Sequence, residues 1–294
     1  MIVTIQSAQL CVDIDTLGAQ LSSIRTHDGT EYLWQGDPEI WGRRAPMLFP
    51  VIGRLKESTY QLDGKDYTIS PHGFARDMEF QIVDQRTHQL TLQISDTPQT
   101  QMVYPFSFTL TVTYCVEGNT LTKSHEICNT SDREMLYELG AHDGFRAPIQ
   151  GEATMADYSI RLPGLDSVCL YGLDERVMIT PKGEPVPLNH SALPLTPATF
   201  GLDTMILDTP PQGQAILCDG QGQPRVTLTF PDFPYLGIWT PEKPFDTGFV
   251  CIEPWSALPD ATFVGRALGD KAGIRALAPG QREILRYTTT IHPY

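Results

Sequence analysis

The sequence predicts an all-β protein built as a large antiparallel sandwich or barrel. Short segments rich in Val, Ile, Thr and aromatic residues recur from end to end with partial period-two alternation, which is typical of half-buried strands. Turn-forming sequences separate these segments. No long segment keeps the 3.6-residue apolar period of a helix without a Gly or Pro interrupting it, and 24 prolines are spread through the 294 residues.

Five segments carry the clearest strand patterns and predict strands at MIVTIQ (1–6), LTLQISDT (90–97), FSFTLTVTYCV (106–116), RVTLTF (225–230) and ILRYTTTIH (284–292). The stretch 114–127 (YCVEGNTLTKSHEI) predicts a hairpin closed by a turn that contains Gly and Asn. A Pro-rich passage at 180–197 predicts a long surface loop. Because strand patterns continue on both sides of it, we expect one continuous domain over residues 1–294.

The charge balance excludes several classes of partner. Lys and Arg number 21 against 35 Asp and Glu, a net charge of −14, which disfavours nucleic acid and anionic membrane surfaces. The chain lacks a signal-peptide pattern and any run of roughly 18 apolar residues, so we expect a cytoplasmic protein without membrane spans. The six cysteines are scattered without a C-x-x-C pair, which predicts free thiols.

Two titratable residues stand out within apolar sequence punctuated by Gly and Pro. Glu253 lies in FVCIEPW beside Trp255, where partial burial would raise its pKa and suit it to act as a general base. The alternative is a strand-end glutamate paired with an arginine. His142, in GAHDGF, can donate a proton near neutral pH or can be a hydrogen-bonded turn residue, and His72 in HGFAR has the same two interpretations.

Aromatic residues near the candidate acid and base suit sugar recognition. Sugars present C–H faces that pack on aromatic rings, and of the four tryptophans Trp255 is expected nearest a ligand because it neighbours Glu253. The wide spacing of His72, His142 and Glu253 gives no metal-specific signal, so we predict no metal site.

Five segments, in order, carry a family resemblance: FPVIGRLKESTY (49–60), HGFAR (72–76), GAHDGF (140–145), FGLDTMIL (200–207) and IWTPEKPF…FVCIEPW (238–255). Together they resemble the aldose 1-epimerase (galactose-mutarotase-like) family, and the likeness covers nearly the whole chain. The resemblance implies a large antiparallel β-sandwich of the galactose-mutarotase-like (supersandwich) type. It also implies a hexose substrate, no cofactor and a monomer or homodimer.

The resemblance also implies roles for individual residues. Glu253 resembles the family's general base, which removes the proton of the anomeric hydroxyl, and His142 resembles the general acid, which protonates the ring oxygen. His72 resembles a second histidine that bonds near the ring oxygen. Arg54 and Asp203 match positions that hold sugar hydroxyls.

The sequence departs from the family pattern at Asp143, where the family often has a proline after the acid histidine. This carboxylate is expected either to raise the pKa of His142 or to face solvent.

The segment HGFAR, which contains Arg76, resembles the branch of the family that acts on hexose 6-phosphates as well as the branch that acts on free sugars. Arg76 could form a phosphate clamp with Arg54 and one of Arg43, Arg44 or Arg146, or these arginines could simply pair with the surplus carboxylates.

Two further hypotheses about the function of the protein remain. One is a silent sugar-binding protein; the other is a lyase or hydrolase, although glycosidases need paired carboxylates.

Overall fold

The computed structural model describes residues 1–151, 153–200, 204–241 and 246–294. Its strands, in chain order, are β1 (Ile2–Gln6), β2 (Leu10–Asp15), β3 (Gln20–Thr26), β4 (Met47–Leu48), β5 (Thr59–Leu62), β6 (Lys65–Thr68), β7 (Gln81–Gln85), β8 (Gln89–Ser95), β9 (Phe108–Glu117), β10 (Thr120–Asn129), β11 (Met135–Tyr137), β12 (Gly140–Ala141), β13 (Asp143–Arg146), β14 (Ser159–Arg161), β15 (Ser167–Val168), β16 (Tyr171–Leu173), β17 (Ile179–Lys182), β18 (Val186–Pro187), β19 (Ala192–Pro194), β20 (Met205–Asp208), β21 (Gln214–Cys218), β22 (Pro224–Thr229), β23 (Tyr235–Trp239), β24 (Phe249–Trp255), β25 (Arg275–Leu277) and β26 (Arg282–Ile291). The helical elements are short: an α-helix α1 (Pro98–Val103) and 3₁₀ turns at Lys56–Ser58, Ala75–Asp77, Met155–Asp157 and Leu268–Asp270.

Two large antiparallel sheets dominate the described part of the chain. One has nine strands in the order β19-β14-β21-β22-β26-β10-β9-β8-β7. The other has eight, in the order β17-β16-β20-β23-β24-β12-β4, with β13 also pairing to β24. A three-stranded sheet, β1-β2-β3, and three two-stranded sheets complete the architecture. The predicted all-β antiparallel fold is confirmed.

The strand predictions hold at the level of individual elements. The five segments form β1, β8, β9, β22 and β26, and the predicted hairpin is the β9–β10 pair. Along β9 and β10 buried and half-buried residues alternate, so each strand turns one face towards the core. Period-two alternation was a sufficient signal here because one face of the nine-stranded sheet is covered and the other is not.

The Pro-rich passage at 180–197 is mostly exposed, as predicted, but it is not one long loop. Three short strands, β17, β18 and β19, pass through it, and β19 pairs with β14 at the edge of the nine-stranded sheet. Proline is tolerated in such edge positions because the missing N–H need not serve a second neighbour. The expectation of an unbroken loop was therefore wrong.

Two further expectations concern free thiols and membrane-spanning helices. All six cysteines carry free thiols, and Cys218 and Cys251 are the buried ones. Within the described ranges, no helix is long and apolar enough to cross a membrane; α1 has six residues.

A buried charged cluster joins the two large sheets across the core. Lys123 of β10 and Asp143 of β13 are both almost inaccessible to solvent. The Tyr287 hydroxyl of β26 donates to Asp143 Oδ2 at 2.5 Å. The Lys123 ammonium lies 5.4 Å from the centre of the Tyr114 ring and 5.8 Å from that of Tyr287. Burial lowers the pKa of Lys123 and raises that of Asp143, and each charge opposes the shift of the other.

We expect Lys123→Met to lower the free energy of unfolding by about 3–5 kcal/mol, because it leaves the carboxylate of Asp143 in the core without its counter-charge. Urea unfolding followed by circular dichroism measures the change. Lys182→Met is the matched control, since Lys182 pairs with Asp208 on the surface and should change stability by about 1 kcal/mol or less. Equal effects of the two substitutions would show that Lys123 does not compensate Asp143.

Candidate active site

The register between β13 and β24 brings together the two residues predicted as acid and base. Asp143 pairs with Ile252 in an antiparallel ladder, so the next pair along the chain is His142 with Glu253. Residues directly opposite each other project to the same face of a sheet. His142 Nε2 lies 3.4 Å from Glu253 Oε1, and both side chains are buried.

Asp143 projects to the opposite face, into the core cluster described above. It therefore neither faces solvent nor supports an imidazolium at His142, and both expectations for it were wrong. The pKa of His142 is instead lowered well below its ordinary value, first by burial and then by the nearby His72, Arg76 and Arg43. The alternation of the strand explains the error: a residue next to the catalytic position points away from it.

A cavity of about 260 Å³ opens above the His142–Glu253 pair. Its walls carry three arginines, two histidines, one glutamate and three tryptophans: Arg43, Arg54, Arg76, His72, His142, Glu253, Trp41, Trp239 and Trp255. All the predicted site residues that the structure describes therefore line one cavity. Asp203 lies outside the described residues.

The backbone around His72 holds its imidazole in one orientation. The Gly53 amide donates to His72 Nδ1 at 3.2 Å, and the His72 amide donates to the Gly53 carbonyl at 2.9 Å. Because Nδ1 accepts, a neutral His72 carries its proton on Nε2. The ring stands nearly perpendicular to that of His142, with 5.6 Å between ring centres.

The glycine of the HGFAR segment has a steric role. Gly73 has a φ of 70°, and a Cβ placed there would lie 2.2 Å from the carbonyl oxygen of Phe49. The Phe74 amide donates to that same carbonyl at 3.0 Å. A residue other than glycine would push this segment away from β4 and would displace His72 from the cavity wall.

Burial, together with the nearby arginine charges, lowers the pKa of both histidines. Burial and the charges of Arg76, Arg43 and Arg54 lower the pKa of His72 to about 3. Both shifts favour the neutral form of the imidazole at neutral pH. Arg43 and Arg76 both lie close to Asp77, at 2.8 Å and 3.7 Å respectively, on the cavity rim.

Aromatic rings enclose His142 on two sides. Trp41 stacks on it with 5.0 Å between ring centres, and Trp239 meets it edge-on at 5.5 Å. The indole of Trp255 packs against Gly237, where a Cβ would lie only 2.6 Å from the ring. The sequence indicates Trp255 but not Trp41 or Trp239, because nothing in their local sequence distinguishes these two from Trp34, which does not line the cavity.

Sequence analysis also missed Cys251. It precedes Glu253 by two residues on β24 and so projects to the same face, a relation that strand periodicity could have supplied. The Cys251 sulfur, a ring nitrogen of His142 and a carboxylate oxygen of Glu253 all lie within 4.8 Å of one another.

A second buried ion pair supports the segment that carries Arg54. The Ile52 amide donates to Glu138 Oε2 at 2.7 Å, and Lys271 Nζ lies 3.4 Å from the other carboxylate oxygen. The Glu138 amide donates to the Pro50 carbonyl at 2.8 Å. Burial raises the pKa of Glu138 to about 7, although Lys271 and the Ile52 amide act in the opposite direction.

Comparison with known proteins identifies the family of this chain. The sequence model of the family described as aldose 1-epimerase matches residues 1–268. The chain belongs to the aldose 1-epimerase family. A curated relative, the chromosomal protein LacX of Lactococcus lactis subsp. lactis, is 29% identical to this chain over 303 residues. The alignment covers 99% of each chain.

Two solved structures of family-like proteins superpose closely. A galactose mutarotase related enzyme from Lactobacillus acidophilus gives a TM-score of 0.94 at 30% identity, over 100% of this chain and 98% of the other. A galactose mutarotase-like protein from Lactobacillus casei ATCC 334 gives 0.91 at 30% identity, over 99% and 100%. The predicted galactose-mutarotase-like fold is thereby confirmed.

The raised pKa of Glu138 makes stability depend on pH. Its ordinary pKa is 4.5 and its folded-state pKa is about 7, so between these values the folded state holds a proton that the unfolded state has released. The stability that this group contributes is present below about pH 4.5 and is lost as the pH rises through 7.

We therefore expect the unfolding free energy of the natural protein, relative to Glu138→Gln, to fall by up to about 3 kcal/mol between pH 4.5 and pH 8. Urea titrations of both proteins across this range measure the difference. Glu57→Gln, the same substitution at an exposed position, is the control. A flat profile for Glu138→Gln would mean that Glu138 stays ionised throughout.

Proposed function

We propose that this protein is a mutarotase, which interconverts the α and β anomers of a hexose. The observation that carries the proposal is the contact of 3.4 Å between His142 and Glu253 at the base of a tryptophan-walled cavity. A binding protein needs no acid–base pair, and a glycosidase needs two carboxylates rather than a histidine and a glutamate.

Ring opening of a hemiacetal requires one proton to leave the anomeric hydroxyl and one to reach the ring oxygen. In this proposal Glu253 accepts the first and His142 delivers the second, which releases the free aldehyde. Rotation about the C1–C2 bond and reclosure from the other face invert the anomer, with the two residues exchanging roles. Because its lowered pKa keeps His142 neutral in the free site, His142 has to take up a proton when the substrate binds before it can act as the acid.

The remaining residues suit binding and orientation. His72, with Nδ1 engaged by Gly53, can donate from Nε2 to the region of the ring oxygen. Arg54 and Trp255 offer a hydrogen-bond donor and an apolar face to a sugar. Asp203 remains a predicted partner of the sugar hydroxyls.

A second candidate substrate is a hexose 6-phosphate. Arg43, Arg54 and Arg76 line the same cavity, and guanidinium groups bind phosphate with two parallel hydrogen bonds. A phosphate dianion there would also offset the positive charges that lower the pKa of His142 and His72. Binding of the anion would then make the acid histidine easier to protonate.

We expect Glu253→Gln and His142→Asn each to reduce anomer exchange by about 10²–10⁴-fold, because each removes one of the two proton-transfer groups. NMR exchange spectroscopy in weakly catalytic buffer, with glucose, galactose and glucose 6-phosphate, measures the rate against a no-enzyme control. Glu57→Gln and His27→Asn, both exposed and outside the lining of the cavity, are matched controls that should keep full activity.

Normal exchange in a folded Glu253→Gln or His142→Asn variant would overturn the acid–base assignment. No acceleration of any sugar, with line broadening that still shows binding, would favour a silent sugar-binding protein. Release of a free sugar from a glycoside would favour a hydrolase.

We expect Arg43→Met to raise KM for glucose 6-phosphate by roughly 10–100-fold while changing KM for glucose little, because one charge-assisted hydrogen bond to the phosphate is lost. Arg44→Met is the matched control, since Arg44 bonds to the carbonyls of Gln35 and Ser22 and does not line the cavity. Steady-state kinetics with both sugars provide the comparison. Equal effects on both sugars would exclude a phosphate role for Arg43.

A further inference from the structure

Three side chains of different chemistry lie close together where His142 and Glu253 line the cavity. Cys251 and Glu253 project from alternate positions of β24, and His142 projects beside them from the neighbouring strand segment. The thiol sulfur, a ring nitrogen and a carboxylate oxygen all lie within 4.8 Å of one another. All three residues are buried, and the cavity gives access from one side.

The spacing of these atoms suits a tetrahedral metal ion. Zinc binds histidine nitrogen and carboxylate oxygen at about 2.1 Å, so two such ligands at the tetrahedral angle stand about 3.4 Å apart. His142 Nε2 and Glu253 Oε1 are separated by 3.4 Å. The sulfur needs to approach by no more than about 1 Å, since a zinc–sulfur bond is about 2.3 Å long.

We propose that Cys251, His142 and Glu253 form a binding site for Zn²⁺, with the fourth coordination position open to the sugar cavity. A nitrogen, sulfur and oxygen donor set suits zinc, whereas Mg²⁺ and Ca²⁺ take oxygen ligands. A thiolate and a carboxylate together supply two negative charges, which balance the charge of the ion. The charges of Arg43 and Arg76, which also act on His142, weaken the site without removing its donors.

Zinc in this site would engage both members of the acid–base pair. If the proposed mutarotase function is correct, zinc therefore inhibits it reversibly and competes with the sugar. The inhibition rests on the proposed function, but the metal binding does not, so the two can be tested separately.

Binding is tested first with Co²⁺, which replaces zinc in tetrahedral sites and is visible spectroscopically. We expect the natural protein to show tetrahedral d–d bands and a thiolate-to-cobalt charge-transfer band, both abolished by added Zn²⁺. Cys251→Ala should lose the charge-transfer band. Cys218→Ala is the matched control and should keep it, because Cys218 is a buried cysteine on β21 of the other large sheet.

The result that overturns the site is a charge-transfer band that survives in Cys251→Ala, or one that is absent from the natural protein. Cys251→Ser, which keeps the volume of the side chain, is the second variant should the alanine protein be poorly folded. His142→Asn should weaken Co²⁺ binding at least tenfold, and unchanged binding would remove the histidine from the ligand set.

Activity is tested second, with anomer exchange measured against increasing Zn²⁺. We expect Cys251→Ala, measured relative to its own rate without zinc, to need at least tenfold more zinc for half inhibition, with chelator restoring the natural protein. Equal zinc sensitivity of the two proteins would overturn the role of Cys251. A cobalt site that depends on Cys251 in a protein without epimerase activity would leave the metal site standing and remove the mutarotase proposal alone.

Discussion

The antiparallel pairing of β24 with residues 140–146 is the constraint on which the site depends. It places Glu253 opposite His142, and a shift of one residue would turn every side chain of the strand to the other face. β24 is buried along its whole length, because one face meets the core and the other forms the floor of the cavity. The strand therefore belongs to the hydrophobic core and to the proposed site at once.

Buried charges on the core side of the sheet stabilise this register between β24 and residues 140–146. Asp143 lies one residue from His142 and is fixed by Tyr287 and Lys123 on the facing sheet. Burying a carboxylate without a partner is strongly unfavourable, so an alternative pairing that separated Asp143 from this cluster would be disfavoured. Glu138 and Lys271 act in the same way on the segment that precedes Arg54. Both groups of buried charges hold a site-bearing segment against the scaffold.

Much of the fold, and part of the site, could be predicted from sequence. Alternation identified β9 and β10 because their two faces differ in burial, whereas the short strands within 180–197 carry no such contrast. Family resemblance identified His142 and Glu253. The orientation of Asp143, the stacking of Trp41 and the proximity of Cys251 depend on strand register and on contacts distant in sequence.

The charge states of His72 and His142 could not be predicted from the sequence either, because they depend on burial and on arginines that the fold brings close to them. The single-domain organisation and the residue roles remain predictions, and Asp203 lies outside the described residues.

The close approach at Gly73 has a thermodynamic consequence for ligand recognition. With Gly73 against the Phe49 carbonyl and His72 bonded to Gly53 through both its backbone and its ring, this wall of the cavity has almost no conformational freedom left. The entropy of ordering it is lost when the chain folds, not when a sugar arrives. A small, weakly hydrophobic ligand, which offers little binding energy of its own, therefore meets a surface already in its bound shape.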